Sequence, residues 1–130
     1  MTLVMHYDGQ SWQIVPSPNP SGAADAANEL RGIAVAGAND IWAVGMYENQ
    51  QTSIHQHRTL TEHWDGRSWS IVSSPSPGHS SELNAAAAPS RQLIVPTRPR
   101  VFAGGLFSNY DINIYDGTYT LPQTLVMDTR

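Results

Sequence analysis

The residues able to do chemistry sit in a few places. His55 and His57 flank Gln56, so an extended segment puts both imidazoles on one side. That spacing suits Zn, Cu or Ni once a third donor such as Glu48 or His79 converges, and solvated loop histidines are the plainer account of it. Further on, Tyr110, Asp111, Asn113, Tyr115, Asp116 and Tyr119 gather aromatic faces, carboxylates and an amide in one short stretch. The mixture suits the apolar and hydroxyl faces of a sugar, against the alternative of an ordinary exposed hairpin around Asp116 and Gly117. As a calcium loop it has one residue too many before the glycine and no closing Glu. The candidate ligand-binding set is therefore Glu48, His55, His57, Tyr110, Asp111, Asn113, Tyr115, Asp116 and Tyr119, with no catalytic residue, metal ligand or cofactor assigned. No G-x-S-x-G, H-E-x-x-H or Gly-rich phosphate loop occurs, and a non-enzyme is expected.

The elements that must position these residues come from a repeat. T-L-V-M-H-Y-D-G-Q-S-W-Q-I-V-P-S-P at residues 2–18 returns as T-L-T-E-H-W-D-G-R-S-W-S-I-V-S-S-P at 59–75, an offset of 57. Self-similarity at this period points to an array of small units, none able to bury its apolar face alone. Recurrence also gives bland roles to what recurs. Asp8 and Asp65 read as turn formers, His6 and His63 as repeated packing or hydrogen-bonding groups, and Trp12, Trp42, Trp64 and Trp69 as packing aromatics.

Composition narrows the class. The 130 residues are 40% hydrophobic, enough for a core. Seven arginines, no lysine and eleven acidic residues give a formal charge of -4, with no basic run, so nucleic acid is not expected as a partner. No cysteine is present, which removes disulfides and thiolate chemistry. The opening residues lack the basic flank and apolar run of a signal peptide, and no stretch approaches the ~18 apolar residues of a membrane span. The expectation is no membrane partner, and a cytoplasmic chain unless a leader lies outside this sequence, in which case a secreted or cell-surface one.

Periodicity predicts antiparallel strands throughout. Asp8-Gly9 and Asp65-Gly66 each join two β-favouring runs, the glycine accepting the positive φ of a type I′ turn. One complete unit is four strands, near 30–36, 40–47, 59–64 and 68–72. In the last unit Val101-Phe102-Ala103-Gly104-Gly105 matches Ile41-Trp42-Ala43-Val44-Gly45 at an offset of 60. Its first strand has two registers open, 93–95 on 33–35 or 83–88 following the match of Glu82-Leu83 to Glu29-Leu30. Thr124-Leu125-Val126-Met127 repeats Thr2-Leu3-Val4-Met5.

This punctuation resembles the blades of Kelch-like β-propellers, through V-F-A-G-G, the Trp64-Asp65 and Tyr7-Asp8 pairs and the downstream Trp69 and Trp12. The D-I-W-A-V-G and W-D-G-x-S-W pieces also look like those of bacterial multi-blade repeat proteins. The resemblance implies an all-β propeller segment, with 1–18 giving the third and fourth strands of a split blade, 30–72 a complete blade and 83–127 an incomplete one. Thr61 to Trp69 is similar, more weakly, to blades of small fucose-binding lectins, in which two-blade chains close a ring. There Glu62 stands where those lectins place a sugar-binding glutamate, although the first copy has Met5.

The implied function is a non-catalytic binding or interaction module, with a glycan or a protein as ligand and carbohydrate the class considered. The alternatives are a fragment of a larger secreted propeller enzyme or a purely structural array. The long connections 16–29, 48–58, 73–82 and 108–123 should leave one rim, where binding residues usually sit. About two blades per chain predict a head-to-tail homo-oligomer, a trimer in preference to a tetramer. Residues 2–5 and 124–127 then compete for one third-strand slot, with the N-terminal copy expected to win and the tail from Asp128 to be loosely held.

Overall fold

A computed structural model describes residues 1–22, 26–49, 56–89, 100–108 and 122–128. Among these residues the chain is all-β, in three antiparallel sheets. β1 (Val4–Tyr7) and β2 (Trp12–Val15) form a hairpin. β3 (Asn28–Gly37), β4 (Asp40–Asn49), β5 (Gln56–Trp64) and β6 (Trp69–Ile71) follow one another in a four-stranded sheet. β7 (Ser80–Ala87), β8 (Phe102–Ser108) and β9 (Gln123–Asp128) complete a three-stranded one. The open register is thereby decided, since Leu83 pairs with Gly105 as Leu30 pairs with Gly45. Residues 93–95, the rival first strand, lie outside the described residues.

The Asp-Gly turns form, but not as type I′. Gly9 and Gly66 take φ of 100° and 96°, while no other residue type among those described has positive φ, so the second positive φ of type I′ is missing. The aspartate closes the loop instead. Asp8 Oδ1 accepts from the amides of Gln10 and Ser11 at 2.8 Å each, and Asp65 Oδ1 from those of Arg67 and Ser68 at 2.8 and 2.9 Å. These bonds, from Ser11 and then Gln10 and from Ser68 and then Arg67, hold both carboxyls below the ordinary carboxylate range. The Pro-rich segments after β2 and β6 are latched in the same repeated way. The Thr2 hydroxyl bonds Ser17 Oγ at 2.7 Å and its amide donates to Asn19 Oδ1 at 2.7 Å, while the Thr59 hydroxyl bonds Ser74 and Ser76 at 2.8 and 2.7 Å.

Residues opposite one another in register share a face. On the four-stranded sheet Ile33, Ala43, Glu62 and Ile71 share one face, and Ala34, Trp42, Val44, Thr61 and His63 the other. β7 lies across that second face against β3, β4 and β5 without pairing to them. Val44, Leu83 and Ala103 form its buried centre, with Ala86, Leu125 and Met127 packed around. The hairpin sits on the first face, where Val4 and Val15 border a gap shared with Ile33, Ile41, Trp64 and Trp69. By repeat position Val101 and Ala103 look onto Thr61 and Val72 as Ile41 and its neighbours look onto Val4 and Val15, although β7 packs closely on the four-stranded sheet while the hairpin stands off from it.

Two glycines let neighbouring strands approach closely within each sheet. β3 and β7 each bulge one residue past their Glu-Leu pair, at Arg31 and Asn84, and the bulge lays a carbonyl over the next strand. A Cβ on Gly45 would meet Glu29 O at 1.9 Å, and one on Gly105 would meet Glu82 O at 1.9 Å. Arg31 then joins bulge to bulge, donating to Asn84 Oδ1 at 3.0 Å and to Glu82 Oε2 at 2.6 Å.

In the isolated chain the third-strand slot beside β8 belongs to β9. Asp128, expected loose, is held by the guanidinium of Arg100. Thr129 and Arg130 lie outside the described residues.

Gly45→Ala and Gly105→Ala should each lower stability by about 1–3 kcal/mol or more, because the added methyl drives backbone from backbone. Gly104→Ala, whose Cβ would approach Leu125 O no closer than 3.9 Å, should stay within about 0.5 kcal/mol of the parent. Urea unfolding of the three variants separates these outcomes.

Candidate functional site

Strand ends sort the connections. β3 begins at Asn28, opposite Tyr47. β4 ends at Asn49 opposite Gln56, Ser80 of β7 opposes Ser108 of β8, and β9 begins at Gln123 opposite Phe107. The connections 16–27, 50–55, 72–79 and 109–122 therefore leave one end, and the tight turns at Gly37 to Asp40 and at the two Asp-Gly pairs lie at the other.

At that loop-bearing end the register sets Glu48 beside His57, two of the nine candidate residues, on adjacent strands and one face. Glu48 has structural work to do there. Its Oε2 accepts from the Ala27 amide at 3.2 Å and its own amide donates to Ala27 O at 2.8 Å, fastening the approach to β3. Arg58, next to His57, donates to Ser76 O at 3.2 Å and to Gln56 Oε1 at 2.9 Å, so the loop after β6 is tied down at the same end. His55, Tyr110, Asp111, Asn113, Tyr115, Asp116 and Tyr119 lie outside the described residues. His79 is exposed, with its amide donating to Ser108 O at 3.0 Å. Among the described residues no group of three or more His, Asp or Glu is placed to hold a metal ion.

Two further features lie at the middle and far end of the four-stranded sheet, the first of them Glu62, which the lectin resemblance set at a sugar-binding position. Glu62 is fully buried on β5, between Ala43 and Ile71 in register, and neither carboxylate oxygen has a hydrogen-bond partner. Burial alone pushes its pKa up to about 7. No ligand reaches the carboxyl in this arrangement. The sequence signal for it was an acid standing where the other two copies carry Met5 and Met127.

The second feature is a polar cross-strand pair. Asp40 Oδ1 accepts from Trp42 Nε1 at 2.8 Å and bonds His63 Nε2 at 2.9 Å, while the Trp42 and His63 rings stack with centroids 4.4 Å apart. Its counterpart on the three-stranded sheet exchanges the charges. Arg100 stands in the place of Asp40, Asp128 in that of His63 and Phe102 in that of Trp42, with the Arg100 guanidinium 5.7 Å from the Phe102 ring centre. These pairs clip a second strand to a third.

The Glu62 carboxyl has a definite pH signature. Its folded pKa is raised above the unfolded value of 4.5, so below about 4.5 it is neutral in both states and costs nothing as an ion. Between 4.5 and 7 the unfolded chain gains by ionising and stability falls, reaching a full loss of ~3 kcal/mol above 7. Glu62→Met should accordingly raise stability at pH 8 and flatten the profile between pH 5 and 8. Denaturant midpoints of parent and variant at the two pH values check this; equal slopes with pH would show that Glu62 is not the source.

No protein family, no curated protein and no solved structure matches the chain.

Proposed function

We propose that the chain is a non-catalytic binding and interaction module built of propeller-type blades, which binds its ligand at the loop-bearing end and associates with further copies of itself. The observation that carries the reading is the sorting of the connections. Four connections leave one end of a stack of sheets, while the other end carries the short hydrogen-bonded turns and one long connection, 88–101 between β7 and β8. Loops held by rigid sheets are the usual seat of binding residues. Matching repeat positions across the two gaps between sheets, and the resemblance of its motifs to Kelch-like repeats, support blades as the units. The ring so formed is a trimer in preference to a tetramer.

Within this reading the ligand class is carbohydrate, on the sequence of the stretch from Tyr110 to Tyr119 together with Glu48 and His57 at the same end. A glycan array probed with the parent chain should give a limited set of positive glycans. Tyr110→Ala, Tyr115→Ala and Tyr119→Ala should each weaken binding by about tenfold or more, the order of one lost aromatic stacking contact. An array on which the parent binds nothing removes the carbohydrate assignment.

A further inference from the structure

Three exposed apolar surfaces have matching shapes in the repeat. The first is the outer face of the hairpin, with Leu3, Met5, Tyr7, Trp12 and Ile14 all exposed. Tyr7 and Trp12 stack with ring centres 5.4 Å apart, as Trp64 and Trp69 do at 5.8 Å. Trp64 and Trp69 are half-buried and border Val4 and Val15, whereas Trp12 is 64% exposed. The second surface is Ile33 and Val35 on β3, which the hairpin leaves 62% and 64% exposed. The third is the outer face of β8, with Phe102 and Leu106.

Beside β9 lies a cavity of about 270 Å³, walled by Thr61 and Val72 and by Val101, Ala103 and Met127. Thr61 and Val72 are the repeat counterparts of Val4 and Val15. The cavity is thus the counterpart of the surface that receives Trp64 and Trp69; Trp42, stacked on His63, borders it, and among the described residues no aromatic pair occupies the repeat position of Trp64 and Trp69 there. β9 itself, through Thr124 to Met127, has the same T-L-V-M sequence as Thr2 to Met5.

We propose that β9 is an internal stand-in for β1, and that in the assembled protein the β1–β2 hairpin of a second copy displaces it from β8. This deepens the self-association proposed above and rests on it. The incoming β1 takes the third-strand place with its own T-L-V-M, β2 adds a fourth strand, and Tyr7 and Trp12 enter the cavity against Thr61 and Val72. The same movement brings Phe102 and Leu106 of one copy over Ile33 and Val35 of the next. One heterologous contact covers all three surfaces, and because its two halves lie on opposite ends of the stack it propagates head to tail until rotation closes it. The backbone pairing given up is regained by an identical segment, so the net driving force is burial of the hairpin's apolar face. What opposes the exchange is the Arg100 to Asp128 ion pair, since β1 carries His6 at the position of Asp128.

The test uses disulfides, which the cysteine-free chain makes clean. Gly104 pairs with Val126 in register, and a side chain at Gly104 meets open space. Gly104→Cys with Val126→Cys, once oxidised, locks β9 in place; Val4→Cys with Gly104→Cys can close only between copies after exchange. Native mass spectrometry of the parent should show closed oligomers. The locked chain should be monomeric and reassemble on reduction, and the Val4→Cys/Gly104→Cys chain should form covalent interchain ladders. A monomeric parent overturns self-association and the exchange together. Oligomers that persist with β9 locked, without a ladder in the second variant, overturn the exchange alone.

Discussion

Each layer of this protein depends on the close approach of β7 to the face of the four-stranded sheet. Leu83 is buried against Val44 and Ala103 there, and no other contact removes as much aliphatic surface from water at one point. That approach is a backbone matter before it is a side-chain one. Gly32 meets the backbone of Ala85 and Ala86 at the distance a Cβ would need, and within the two sheets the bulges at Arg31 and Asn84 lay carbonyls of Glu29 and Glu82 over Gly45 and Gly105. Larger residues at these glycines would hold strands and sheets apart and open voids around Leu83.

Polar groups then fix what apolar burial leaves adjustable. Burial favours stacking but says little about how strands slide along one another, and the Thr59 latch, the aspartate-closed turns and the Asp40 to His63 clip each mark one register position. A clip at the same repeat position holds the three-stranded sheet, as Arg100 to Asp128, with the acid on the third strand instead of the second; both are partly solvated. Glu62 is the exception to this economy of polar groups. It is buried without a partner at a position where methionine serves in the other copies, so its ionised form works against the fold that contains it.

The loop-bearing end and the apolar outer faces place different demands on the chain. At the loop-bearing end the strand ends are held by the Glu48 contacts to Ala27 and the Arg58 contacts to Ser76. Exposed Trp12 and Ile14 on one side and Phe102 and Leu106 on the other amount to more apolar surface than a lone small domain commonly leaves in water. Stacked repeats meet this problem at both termini, and they solve it by capping or by closure.

The all-β class, the positions of most strands and those of the Asp-Gly turns were legible in the sequence, because period-two alternation and Asp-Gly punctuation are local properties that the backbone must obey wherever the strand is placed. Glu48 and His57 were legible as residues but not as neighbours, since their pairing follows from the register of β4 on β5. The choice of 80–87 over 93–95 as first strand of the last sheet was not readable either. Both segments have strand-like composition, and only the bulge that seats Leu83 on Val44 and sets a carbonyl over Gly105 distinguishes them. The same holds for β9, where two identical T-L-V-M segments have equal local preference for the place beside β8. In the single chain β9 holds that place, with Asp128 paired to Arg100, an interaction between strands distant in sequence that exists only once the sheet has formed.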